Sequence, residues 1–458
     1  MAEGLFETGV PASTFDLVAD FVLRLSPDDI PPAALERVEL LLLDTLGICA
    51  AAAPMEAGHI GRDIARLIFA AGDERYAARM LFDGTRASLA GALYAAATQT
   101  DNLDGHDGSN PTKGHIGVVA APALAVLAQH RPDLGGREAL AALVVGYEVA
   151  ERAGLSLHAT VDDYHASGAW NALGVVAMAA RLRGCGAEVL RQALGIAEYH
   201  GTRSQMMREI ATPTMLHDSS GWGGLVGMAS TLLAERGFTG APAITVEAPE
   251  VEAHWADLGK RWRVERQYVK PYPVCRWAHA AIDAARRLFA VRSFDVGEIA
   301  DIRINSFANA VALFPGMPTT TSEAQYSMPF AVATILVHGR IGLEHITGAG
   351  LSDPRVATLV ARTGVAYASR HEARFPTERW ADVEIELTDG TLLTSGDVLA
   401  SGGPEPPFTR EAVLAKYLEF ARPALGEARA EALRDAILGL HAPESTFASV
   451  AAHLYEPI

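Results

Sequence analysis

The stretch AALERVELLLLDTLGICAAAA, residues 33–53, is apolar on nearly every side of a helix, with Glu36, Arg37, Glu39 and Asp44 as its charged positions. A helix without a polar face has to be surrounded by other helices, so this segment predicts the buried centre of a bundle. Asp28, Asp29, Pro31 and Pro32 mark its start. Ala-rich runs at about 86–99, 116–130, 137–158, 168–182, 186–199 and 221–236, each bounded by Gly, Pro or Asp/Asn clusters, supply the surrounding helices.

The pattern changes after about residue 240. PAITVEA (242–248), ADIRINSF (300–307) and ADVEIELTDGTLLTSGD (381–397) read as strands, the last with a hairpin turn at Asp389-Gly390. Helices near 276–291, 322–338 and 353–363 interleave with them, and Ala/Leu helices return at 409–421 and 426–440. A chain of 458 residues exceeds what one core usually holds, so two domains are expected, one interrupting the other. The fold class is therefore mainly α. Residues 1–266 and 402–458 form the helical part and 267–401 an α+β part, with the connectors at 267–275 and 400–408 as candidate hinges.

A net charge of −17 argues against a nucleic-acid or anionic-membrane surface, so an anionic substrate has to meet a local island of positive charge. Cys49, Cys185 and Cys275 are scattered, offering no disulfide framework and no C-x-x-C metal pair. The opening MAEGLFETGVPASTFD lacks the basic and apolar regions of a leader, and the apolar runs are broken by Asp44 or Pro122, so a cytoplasmic protein is expected.

Chemistry concentrates in DNLDGHDGSNPTKGHIG, residues 101–117, which places Asp101, Asp104, His106, Asp107, Lys113 and His115 between two apolar helices. An inter-helix loop is often only solvated. Carboxylates, imidazoles and an ammonium held between buried helices are, however, the groups that acid–base work on an anion requires. His106-Asp107 also permits a metal reading with His59 upstream, as in helical metal-dependent phosphohydrolases, although adjacent ligands without supporting spacing are a weak signal. Lysine is rare, at Lys113, Lys260, Lys270 and Lys416, so the Lys270 of KPYPVCRWAH stands out. Pro271 and Pro273 keep that segment extended to about Cys275, after which Arg276 and His279 share a helix face. His165 and His217 lie in loops before helices, where a histidine is more often structural than catalytic. Thr320 and Glu323 form a capping box that places Tyr326 in the early turns of a helix.

Taken in order, HDG…TKGHIG, the His165 loop, KPYPVCRWAHAAIDAA and SEAQYSMPFAVA resemble the MmgE/PrpD family over nearly the whole chain. That family includes 2-methylcitrate dehydratase, cis-aconitate decarboxylase and iminodisuccinate epimerase. The resemblance implies a large helical domain built from both chain ends, a smaller α+β lid, a homodimer, and a cofactor-independent, metal-free site in the cleft. It also implies that Asp101, His115, His165, Lys270 and Tyr326 are catalytic, with His217 standing near a position where the family has lysine. Asn102, Leu103 and Gly105 depart from the aromatic and threonine neighbours of the decarboxylases.

The shared chemistry is a carbanion-like centre beside a carboxylate, stabilised by cations and hydrogen-bond donors. Lys270 with Arg203, Arg208 or Arg276 is expected to hold carboxylates, and Asp104, His106, Lys113, His217 and His279 to complete the binding set. His165 or Asp101 is expected to move the carbon-bound proton, and His115 or Tyr326 to serve the departing group. The leading expectation is a dehydratase-type lyase on a small hydroxy di- or tricarboxylate, ahead of a decarboxylase or epimerase. A metal-dependent phosphohydrolase and a non-catalytic carboxylate-binding protein are the remaining alternatives.

Overall fold

The computed structural model describes residues 13–291, 294–404 and 407–458. The opening twelve residues, on which the reading of the N-terminus largely rests, and part of the 400–408 connector lie outside them.

The helix Pro32–Ala52 is buried along almost its whole length. Its lack of a polar face is resolved by helices on all sides. Leu89–Asp101, Gly117–Ala128 and Gly136–Thr160 pack against it from the first half of the chain, and Arg410–Leu425 and Glu427–Leu438 return to it from the end. Gly47 permits the approach of Arg410–Leu425, since a Cβ there would lie 2.6 Å from the Tyr417 ring. The mainly α reading therefore holds. No single helix among the described residues is long and apolar enough to cross a membrane.

Buried apolar residues fall into two clusters. One gathers the helices up to Val269 together with Val413–Tyr455, and the other runs from Tyr272 to Ala400 and reaches across to Ile48, Leu103, Met206 and Phe420. The second cluster is built on a sheet in the order Thr363–Tyr367, Ile299–Ser306, Trp380–Leu387, Leu392–Thr394. Ile304 pairs with Val365 in parallel and with Val383 antiparallel. Ile302, Ile304, Val383 and Ile385 are fully buried, and helices His279–Val291, Met328–His338 and Pro354–Val360 pack around the sheet.

Several local expectations are corrected. PAITVEA is not a strand: Ile244–Glu247 is a helical turn, because the Glu198 carboxylate accepts the free N–H groups of Ile244 and Thr245 at 2.8 and 2.7 Å. The 322–338 helix is two helices, Thr321–Gln325 and Met328–His338, the second capped by the Ser327 hydroxyl. Tyr326 thus sits at the break and not inside a helix, although the Thr320–Glu323 capping box is present. The 353–363 helix stops at Val360, and the chain turns into the edge strand Thr363–Tyr367. Residues 86–88 form a short strand paired with Ala77–Arg79, so the next helix starts only at Leu89.

Candidate active site

Helix Leu89–Asp101 ends in a buried polar loop that runs to Gly117, where the next helix begins. A buried loop needs partners for its backbone. Lys416, from the returning helix, supplies one by donating to the Gly105 carbonyl at 2.6 Å while paired with Asp44 at 2.6 Å. Asp104 and Lys113 adopt left-handed backbone conformations, with φ of 54° and 56°, and so do His217 and Ser219 on the facing loop, with 46° and 58°. Non-glycine residues rarely hold these angles, and their concentration around one spot marks a surrounding structure that enforces them.

Asp107 organises the loop from within. Its carboxylate accepts the Gly117 N–H at 3.0 Å and the Tyr147 hydroxyl, which leaves its main-chain carbonyl facing the two histidines. A Cβ on Gly117 would lie 2.4 Å from both that carboxylate and the Tyr147 oxygen, so only glycine fits there. The Asp107 carbonyl oxygen lies 2.7 Å from His115 Nδ1 and 3.2 Å from His106 Nδ1. A carbonyl can only accept, so each neutral ring carries its proton on Nδ1 and turns a bare Nε2 outward. His115 Nε2 lies 3.4 Å from Asp218, and His106 Nε2 lies 3.4 Å from Asp101. Burial, reinforced by Lys270, holds both imidazoles well below the usual histidine range. Burial likewise raises Asp218 and Asp101. Burial thus disfavours the charged form of both members of each pair. The Ser167 hydroxyl donates to Asp218 at 2.6 Å and accepts the His115 N–H at 3.0 Å, which fixes the relation between them.

Lys270 is fully buried and its ammonium is paired with Asp104, donating to both the carboxylate and the main-chain carbonyl. Burial nevertheless pushes Asp104 up to about 7, and its second carboxylate oxygen has no hydrogen-bond partner. The two residues face a cavity of about 20 Å³, shared with Lys113, His115, Asp218, Tyr326, Arg276 and Arg379. That is room for about one water. Lys113 lies 4.2 Å above the Tyr164 ring, and Arg276 donates to the Ala400 and Ser401 carbonyls. Neither has a carboxylate partner among the described residues.

Two family models cover most of the chain. Residues 16–255 match the MmgE/PrpD N-terminal domain and residues 272–442 the MmgE/PrpD C-terminal domain. The chain belongs to the MmgE/PrpD family. It is 24% identical over 92% of its length to the cis-aconitate decarboxylase-like protein oryM of Aspergillus oryzae, of which 93% is covered. A cis-aconitate decarboxylase of Aspergillus terreus is 22% identical, with 92% of each chain covered. The human cis-aconitate decarboxylase is 24% identical, with 71% of each chain covered.

In this MmgE/PrpD chain, the expected residues separate by position. Asp104, Lys113, His115, Lys270, Arg276 and Tyr326 line the cavity. Asp101 and His106 stand behind His115. His217 packs its ring 5.5 Å from Tyr326, beside Gln325, and lines a neighbouring surface basin. His279 is turned away, bonded to the Val274 carbonyl at 3.0 Å and 3.3 Å from Arg276, which it positions. His165 does not line the cavity. Its backbone pairs with Gln205 and its N–H meets His158, while its neighbour Tyr164 lines the cavity and Ser167 bonds to Asp218. Arg203 and Arg208 are exposed, and Arg208 lines the surface basin.

Sequence reasoning missed Asp218, Tyr164, Tyr268 and Arg379. Asp218 had a signal, since it follows His217 in a loop already singled out, but Arg379 stands alone before a strand with nothing to distinguish it from a surface arginine. The metal reading is not supported by the site geometry. The Asp107 carboxylate is held by Tyr147 and Gly117, away from His106 Nε2, and His59 lies exposed beside Arg62. Among the described residues, His371, Asp382 and Asp397 do bring ligand atoms within 4.8 Å of one another. Arg370 and Arg374 already occupy those carboxylates, as expected for a charge network tying the sheet to its loop.

Proposed function

We propose that the protein is a lyase of the dehydratase type acting on a small hydroxy di- or tricarboxylate, with its own side chains moving a proton at the carbon next to a carboxylate. The observation that carries this reading is a buried imidazole, His115, with its proton fixed on Nδ1 and its bare Nε2 at a cavity where cations outnumber carboxylates. His115 Nε2 takes the carbon-bound proton while Lys270 and the neighbouring cations stabilise the charge that develops on the substrate carboxylate. Asp104, neutral up to about pH 7, gives its proton to the departing hydroxyl, which leaves as water. Tyr326 lines the same space and donates a hydrogen bond to the substrate. These roles replace the expectation that His165 or Asp101 receives the carbon-bound proton, since neither reaches the cavity.

Decarboxylation is the second reading, favoured by the relatives whose names specify cis-aconitate decarboxylase. There the carbon–carbon bond breaks, carbon dioxide leaves, and the resulting carbanion takes a proton from the same acid–base set. Both readings are tested by incubating the protein in D₂O with citrate, 2-methylcitrate, cis-aconitate, tartrate and iminodisuccinate under NMR observation. Deuterium at a carbon beside a carboxylate is the expected result, with loss of water or carbon dioxide telling the readings apart. Absence of exchange together with absence of water or carbon dioxide loss on every acid would overturn both. A homodimer belongs to the same proposal, supported by Trp222, which is 46% exposed and packs with Tyr94 and Phe69. Sedimentation equilibrium checks it.

A further inference from the structure

Arg379 is 1% exposed, yet no carboxylate pairs with it among the described residues. Its guanidinium reaches only main-chain oxygens, those of Pro376, Glu378 and Asn110, the last at 3.2 Å, and its Nε has no partner. Phe375 stacks under it at 4.7 Å from ring to guanidinium. A charge taken out of water without a counter-ion is costly, and a chain that keeps one there is set up for an anion that arrives later. Arg276 is in the same condition. It is 4% exposed, is stacked on Tyr268 at 4.7 Å, and bonds to carbonyls and His279 with its Nε unpartnered.

The placement of these two arginines is what gives them a role. Both line the inner cavity, and both also line an outer pocket of about 120 Å³ bounded by Asn110, Thr377, Glu378, Leu399 and Gly403, where the Glu378 carboxylate accepts the Trp380 indole N–H at 2.7 Å and forms no ion pair with either arginine. They are the wall that the two spaces share. Lys270, by contrast, has a carboxyl group, that of Asp104, in direct contact with its ammonium. A ligand with one carboxylate near Lys270 and Lys113 therefore leaves the arginine wall uncompensated.

We infer that Arg379, together with Arg276, binds a second, distal carboxylate of the substrate at this shared wall, so that the site selects di- and tricarboxylates over monocarboxylates. Arg379 is thereby a specificity-determining residue. The planar fork of a guanidinium suits this task, gripping both oxygens of one carboxylate while the aromatic face beneath holds its plane. The inference rests on reading the inner cavity as the substrate site.

The experiment uses tricarballylate, which has no hydroxyl to eliminate, and propionate as its one-carboxylate counterpart, with affinities measured by calorimetry. Wild-type protein is expected to bind tricarballylate and to bind propionate far more weakly. Arg379→Gln is expected to lose about 10- to 100-fold in tricarballylate affinity, as for loss of a charged hydrogen-bonding group, with propionate unchanged. Arg379→Lys recovers part of the loss. On any acid the protein turns over, Arg379→Gln raises KM much more than it lowers kcat. Wild-type tricarballylate affinity in Arg379→Gln overturns the inference, and if that variant does not fold, wild-type affinity in Arg379→Lys does so. Arg379-dependent binding with neither proton exchange nor turnover of any acid leaves the carboxylate wall standing and removes the lyase reading.

Discussion

The main-chain carbonyl of Asp107 accepts the Nδ1 proton of His115 at 2.7 Å, and this bond decides which imidazole nitrogen meets the cavity. His115→Gln removes the bare nitrogen while keeping a side chain of similar length. Deuterium exchange into the responding acid is expected to fall by about 10²- to 10⁴-fold, the usual worth of one positioned acid–base group. Full exchange in the variant would remove His115 from the reaction, and circular dichroism confirms that the fold survives.

Tyr147 acts one step behind. Its hydroxyl donates to Asp107 in a fully buried setting, so Tyr147→Phe leaves a carboxylate oxygen short of a partner. The expected cost is about 1–3 kcal/mol in urea denaturation. Activity should fall less than in His115→Gln, because the histidine remains but its carbonyl anchor is loosened. Equal losses in the two variants would mean that Tyr147 does more than hold Asp107.

The pH profile should carry the signature of Asp104. Burial, opposed by Lys270, raises its carboxyl to about 7, so a proton donor is lost as pH climbs through that value, and kcat/KM is expected to fall there. His115 stays unprotonated over the same range because burial and Lys270 lower it. Asp104→Asn should abolish the descending limb along with most of the rate. For stability, the raised group's contribution is fully present below its unfolded value near 4 and is lost as pH rises through about 7. His217, lowered to about 4 by burial, acts in the other direction, withdrawing stability as pH falls from about 6.5 toward 4. Thermal melts of Asp104→Asn and His217→Gln across pH 4–8 separate the two contributions.

Lys416→Met should be severely destabilising. It leaves Asp44 charged and buried and strips the Gly105 carbonyl of its donor. Breaking such a pair costs about 3–5 kcal/mol. Replacing both partners, Asp44→Leu with Lys416→Met, should recover much of that loss in melting temperature while leaving the site loop less well held and the enzyme less active.

The sequence made the helical framework readable because helix Pro32–Ala52 shows its burial in composition alone, without knowledge of its neighbours. The loop at 101–117 was readable as a site for a similar reason, since its mix of charge types is unusual between apolar segments. Other features depend on distant partners. Ile244–Glu247 resembles a strand until Glu198 caps it, and Tyr326 resembles a helical residue until the Ser327 cap breaks the helix. His165 carried the resemblance, yet its neighbour Tyr164, one residue away, is the one that lines the cavity. Arg379 could not be singled out, because what distinguishes it is a missing counter-ion, and that is a property of its surroundings.

The bond between Asp44 and Lys416 joins positions 372 residues apart. At about 5–20 residues per second, roughly 20–75 s of synthesis separates the appearance of the two ends. Throughout that interval the Asp44 carboxylate lacks its hydrogen-bonded cation, and the Gly105 carbonyl in the loop bearing His106 and His115 lacks its donor. The nascent protein can thus gather its helices early, while the loop beside the cavity receives its last brace only when the returning helix has left the ribosome.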